Sequence, residues 1–162
     1  MTVAMGALVL VGAVGIFIRY AFVTSADEAA VAAAPRISDA GFEKAASGVC
    51  KQYAQVFDTA TTLVHLPSQT QTGDFLESIA RSFDSMVGSL HGLPVVGVDQ
   101  AMVGQWLSDW DAYDAYGHRY AAAVRSGAER DLVARDKQTI DHLLRRRNGF
   151  AKANHMSACA FN

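Results

Sequence analysis

Large apolar residues recur at Val103, Trp106, Trp110, Tyr113, Tyr120 and Val124, with Gly117 in the one vacant place. The steps between them alternate three, four, three, four, three and four, which puts all of them on one stripe of an α-helix. Both tryptophans and three of the five tyrosines lie in this segment. So large an apolar stripe must be buried, which requires covering segments from elsewhere in the chain.

Three other segments carry a similar period. Val49, Tyr53, Val56, Ala60 and Leu63, widened by Cys50, Phe57 and Val64, predict a helix from Asp39 to Leu66 that Pro67 ends. Ser38 and Asp39 are its candidate N-caps. Phe75, Ile79, Phe83, Met86 and Leu90 predict a second helix from Gly73 to His91, entered through a polar loop at Ser68 to Gly73 and closed by Gly92 and Pro94. The aromatic segment is the third helix, from an Asp99 cap to Arg125, with Ser126-Gly127 as the turn. The fourth runs from Ala128 to Met156, apolar at Leu132, Val133, Ile140, Leu143, Leu144 and Phe150, with Asp136 and Arg147 near its core side. No segment alternates with period two over a useful length. Four amphipathic helices with short connections predict an all-α fold, an antiparallel up-down-up-down four-helix bundle over residues 39–162. The alternative is a pair of long helical hairpins packed on another subunit. In the bundle, Trp106, Trp110, Tyr113 and Tyr120 are core.

Ahead of these helices the pattern changes. Thr2 to Ile18 is a run of seventeen uncharged residues, followed by Arg19 and a second apolar stretch to Val23. Such a run, extended by a snorkelling arginine, is long enough to span a bilayer. A secretory signal peptide is the other reading, with Thr24-Ser25-Ala26 as a poor cleavage site and no basic n-region before the run. The length favours a retained anchor at residues 1–23, with the lipid bilayer as its partner. Residues 24–38, with an Ala-rich stretch that ends at Pro35, read as a short tether that can include a turn or two of helix.

The 51% apolar and 19% charged residues are ordinary for a globular domain with one membrane segment. Net charge is −2, which offers no argument for nucleic acid. Its distribution says more: Asp39 to His118 holds ten acids and three bases, and Arg119 to Asn162 nine bases and four acids. Side by side in a bundle, these two parts complement each other.

The chain has two cysteines, Cys50 and Cys159. In an up-down-up-down bundle the start of the first helix and the end of the fourth share a pole, so the two can meet. A bridge would close a loop worth on the order of 4–5 kcal/mol by chain entropy. Disulfides persist outside the reducing cytoplasm, so the anchor and the bridge both place the domain on the extracytoplasmic side of the cell membrane. Two unpaired buried thiols are the alternative.

The N-terminal apolar segment, the Ala-rich tether, Ala-Ala-Ser-Gly-Val-Cys50, Leu93-Pro94, Trp106-Leu107, Ser126-Gly127 and Met156-Ser157-Ala158-Cys159-Ala160 follow one another in order. This layout resembles a loose group of secreted or membrane-anchored helical proteins of actinobacteria, with one Cys near the first helix and another at the C-terminus. The resemblance implies location and shape and brings no catalytic residue.

Asp111, Asp114 and His118 share one helix face and are candidate divalent-metal ligands, although helical metal sites draw ligands from a second helix as well. A solvated acidic face with Asp114 paired to His118 is the simpler account. Met86 and Met102 with His142 or His155 are imaginable axial haem ligands, but helix-end histidines are more simply caps or exposed residues. No cofactor is expected. Arg145, Arg146 and Arg147 spread over about 200° of helix surface. Arg145 and Arg146 then face out and Arg147 turns inward toward an acid. The triplet is most simply a favourable contribution to the dipole at the helix C-terminus, with contact of Arg145 and Arg146 to a partner or anionic lipid as the alternative. No phosphate-binding glycine loop, zincin motif, Cys-x-x-Cys or Gly-x-Ser-x-Gly occurs. The expectation is a non-catalytic, membrane-anchored helical domain, an accessory subunit or interaction module that meets another envelope protein. A small-ligand or metal-binding bundle is the alternative.

Overall fold

A computed structural model describes residues 25–62 and 68–161, which form an all-helical bundle without a strand. Its helices are α1 (Ser25–Ala33), α2 (Ala40–Thr62), α3 (Gln69–His91), α4 (Gln100–Ser126) and α5 (Glu129–Ala153), with 3₁₀ turns at Gly97–Asp99 and Ser157–Cys159. The apolar segment 1–23 and the expected end of the first long helix, Leu63 to Pro67, lie outside the described residues. Among the described residues no helix is long and apolar enough to cross a membrane.

Consecutive long helices pack side by side, α2 on α3, α3 on α4 and α4 on α5. The α4 stripe is the core: Val103, Trp106, Trp110, Tyr113, Tyr120 and Val124 are all buried. Trp106 stacks on Phe150 of α5 at 5.5 Å between ring centroids and meets Phe42 of α2 edge-on at 6.1 Å. Phe83 of α3 lies 5.7 Å from Tyr113. One helix therefore supplies the aromatic surface that three others cover, and such ring pairs add to plain area burial.

Cys50 and Cys159 are joined, with 5.2 Å between their Cα atoms, across 109 positions of sequence. The turn at Ser157–Cys159 touches both α2 and α5. On α2 the inward line is Phe42, Ala46 and Cys50, whereas Val49 and Tyr53 are half-buried and Val56 is exposed. The expected stripe thus sits about one position off the observed one, because the disulfide and the α4 rings fix which face of α2 turns inward.

Several boundaries differ from expectation. The polar stretch after Pro67 is not a loop: Ser68 caps α3 by accepting a hydrogen bond from Gln71 N, and Thr72 and Gly73 are already buried. A Cβ on Gly73 would come within 2.8 Å of Arg125 Cβ and 2.9 Å of Ala121 O, so this glycine marks a helix crossing, not a turn. Asp99 makes no side-chain cap for α4. Its buried Oδ2 instead accepts from Ser38 N, Ser38 Oγ and Asp39 N, at 2.9–3.0 Å, in the approach to α2. Asp39 is the α2 N-cap, accepting from Phe42 N through Oδ1 and from Val96 N through Oδ2. The turn at Ser126-Gly127 is as expected, with Gly127 in the left-handed region at φ +75.

The expected tether contains a nine-residue helix, α1, packed along α5. Gly149 of α5 is the point of contact, since a Cβ there would lie 2.8 Å from Ala30 O. Beyond α1, buried Asn154 accepts from Ile37 N and donates to Pro35 O, and Arg36 donates to Ala153 O at 2.6 Å. Residues 25–38 are thereby part of the packed body.

Candidate functional site

The antiparallel seam of α3 and α4 gathers the titratable side chains. Small residues let the two helices approach: Ala80 is buried, and a Cβ on Gly117 would stand 3.7 Å from it. The α3 side of the seam carries Glu77, Arg81 and Asp84, at spacings of four and three. Short carboxylates on one helix then reach the imidazole on the other. His118 Nδ1 lies 3.2 Å from both oxygens of Glu77, and His118 Nε2 lies 3.2 Å from Asp84 Oδ1. Asp84, Asp114 and His118 each place one potential ligand atom within 4.8 Å of the other two. Asp114 Oδ1 is buried and receives no hydrogen bond.

These groups shift one another. Burial, and then the hydrogen bond and charge of Asp84, raise the Asp114 carboxyl to about 7. A hydrogen bond from Asp114 is the main influence holding Asp84 below its ordinary value, so the two carboxyls share a proton that resides on Asp114. Burial alone would lower the His118 imidazole, and its hydrogen bonds to Asp84 and Glu77 outweigh that and raise it.

Of the three residues on the α4 face, Asp114 and His118 belong to this cluster. Asp111 instead meets His91 Nε2 at 2.9 Å in an exposed pair. Its place among the candidate ligands is taken by Asp84 from α3, the second-helix ligand that sequence reasoning did not find. The available signal was the acidic pair Glu77 and Asp84, seven residues apart on one helix face.

The arginine triplet on α5 divides partly as its spacing predicts. Arg146 is exposed, as expected, but is not a free cation: Nε lies 2.7 Å from Oδ2 of buried Asp109, and Nη2 binds Oδ1 of the same carboxylate. Burying Asp109 on α4 requires a paired cation, and Arg146 supplies it in bidentate form. Arg145 is half-buried. Arg147 is fully buried, and its inward partners are rings where an acid was expected. Its guanidinium carbon stands 4.0 Å from the Trp110 centroid and 4.4 Å from that of Tyr113. Nε and Nη2 donate to Asn148 Oδ1, and Nη2 also to Phe161 O. Burial lowers its pKa to about 10, so it stays charged at neutral pH.

Comparison with protein-family models, curated proteins and solved structures found no match to this chain.

Proposed function

We propose that this chain is a non-catalytic, disulfide-stapled helical module of the cell envelope. In this reading residues 1–23 anchor it in the membrane, and the helical body, with its four long helices from residue 40 on arranged up-down-up-down and α1 packed on α5, lies on the extracytoplasmic side. It acts there as an accessory subunit or interaction module of a membrane complex. The observation that carries the reading is the buried Cys50–Cys159 bridge, which joins the first long helix to the C-terminal turn. A bridge that holds two ends of a fold together suits an oxidising compartment. The apolar N-terminal run and the resemblance to anchored actinobacterial helical proteins support the same location.

The test is native purification of the full chain, tagged after Asn162, from detergent-solubilised membranes. The reading predicts a membrane protein that co-purifies in stoichiometric amount and brings the chain back in the reciprocal purification. Recovery of the chain alone in both directions would overturn the accessory role. The α3–α4 cluster favours a second, compatible property, a ligand site on the same domain.

A further inference from the structure

We propose that Asp84, Asp114 and His118 bind one first-row divalent cation of the Zn²⁺ type, with Glu77 as the positioning residue that orients the imidazole. The proposal is independent of where in the cell the chain resides.

Three observations converge on it. The ligand set spans two helices, with Asp84 on α3 and Asp114 and His118 one turn apart on α4. Packing therefore fixes the relation of the two halves. Second, both imidazole nitrogens face carboxylates, Nδ1 toward Glu77 and Nε2 toward Asp84. A neutral imidazole has one N–H and serves only one of them. A metal-binding histidine commonly donates its other ring N–H to a carboxylate, the role Glu77 fills at Nδ1. Third, Asp114 Oδ1 is a buried acceptor with no donor. A doubly protonated His118 would serve Glu77 and Asp84 and still leave that oxygen unserved. A cation at Nε2 serves Asp84 and Asp114 together.

The donors select the metal. One imidazole and two carboxylates suit Zn²⁺ and its first-row neighbours, whereas Ca²⁺ takes about six to eight oxygens and Mg²⁺ favours an all-oxygen octahedron. The three ligand atoms lie within 4.8 Å of one another, and Asp84 Oδ1 already stands 3.2 Å from His118 Nε2, near the separation of two atoms each bound about 2.0–2.2 Å from one Zn²⁺. Asp84, half exposed, is free to adjust to the ion. Three protein donors leave one position of a tetrahedron for water, the pattern of an open site.

The experiment titrates Zn²⁺ alone into the metal-stripped full-length chain in detergent, against a chromophoric chelator, with thermal unfolding as the second readout. The expected result is one Zn²⁺ per chain and a melting temperature that rises with Zn²⁺ and not with Ca²⁺ or Mg²⁺. His118→Ala and Asp114→Asn abolish that stoichiometric binding while the helical circular dichroism stays unchanged. Glu77→Gln weakens it about 10- to 100-fold, as loss of an orienting carboxylate does. Asp111→Asn and His91→Ala bind as the parent does. Absence of stoichiometric Zn²⁺, undiminished binding by His118→Ala, or loss of binding on His91→Ala would each overturn the proposal.

Discussion

Arg147 and Asp114 are two ionisable groups set against α4, and the bundle treats them in opposite ways. Arg147 lies in the aromatic region, fully buried, with Trp110 and Tyr113 against its guanidinium. It keeps its charge because ring faces are electron-rich and the charge of buried Asp109 lies nearby. Asp114 lies in the α3–α4 seam, only partly buried, among Asp84, Asp111 and His118. It holds a proton up to about 7 because burial and its acidic neighbour Asp84 disfavour a second negative charge. Depth alone therefore does not decide charge state. The aromatic region holds its cation against ring faces although Trp110 Nε1 and Arg147 Nη1 lack hydrogen-bond partners, whereas the acidic seam gathers more carboxylates than its cations neutralise and holds a proton on Asp114.

The sharpest way to break the aromatic region is Trp110→Ala. It removes a fully buried ring that also packs on Phe161 and Arg147, and we expect a loss of about 3–5 kcal/mol in chemical denaturation. A near-parent unfolding curve would mean that the stripe does not carry the core. Next comes Cys50→Ser, because the bridge pins the tail whose Phe161 closes the same region. The expected cost is about 2–4 kcal/mol, seen only without reductant. Equal stability of variant and parent in oxidising buffer would show that the bridge does not contribute.

Arg147 itself separates packing from charge. Arg147→Met keeps most of the volume and removes the buried charge, including an Nη1 that has no hydrogen-bond partner. It should cost no more than about 2 kcal/mol, the worth of a desolvated cation–π contact. Arg147→Ala adds a cavity and should cost clearly more. Equal losses would mean that charge, not filled space, is what the site requires.

The smallest effect belongs to the seam. Folding raises the Asp114 pKa from 3.8 to about 7, so the folded state keeps a proton that the unfolded chain releases. Stability contributed by this proton is complete below about pH 4 and is lost as pH rises to about 7. His118, also raised on folding, adds a loss in the same direction above its ordinary 6.5. Asp84, lowered, matters only as pH falls through the acid range. The groups that act on Asp114 are Asp84 from α3 and His118 and Asp111 on its own helix, while Glu77 pairs with His118 and Arg81, and Arg81 also acts on Asp84. Solvent screening at this half-open site reduces the effect to about 1 kcal/mol. In chelator, Asp114→Asn should therefore gain about 1 kcal/mol over the parent at pH 8 and nothing at pH 4. Identical pH profiles in thermal unfolding would refute the shared proton.

How much of this was legible in the chain follows from how far each contact reaches. The α4 stripe was visible because helical period is local, and its rings are buried as that period requires. The cysteine pair was visible because short connections fix which helix ends share a pole. The stretch Ser68 to Gly73 was misread because its polarity suits a loop, and nothing local shows that Gly73 meets Arg125. Asp99 was taken for a local cap, but its partners Ser38 and Asp39 lie some sixty positions away. Asp84 escaped for the same reason: whether it meets Asp114 depends on the register of α3 against α4. Arg146 does lie on the exposed face, but spacing could not show that its guanidinium turns to the buried Asp109 across the seam.

The most direct measurement of the proposed location is the state of the two cysteines in growing cells. Full-length chain is acid-quenched, denatured and treated with a maleimide of high mass, with and without prior reduction. Placement outside the cytoplasm predicts no mass shift without reductant and two additions after it. Two additions without reductant would contradict the account, because a domain whose thiols are kept free resides where the Cys50–Cys159 bridge does not form.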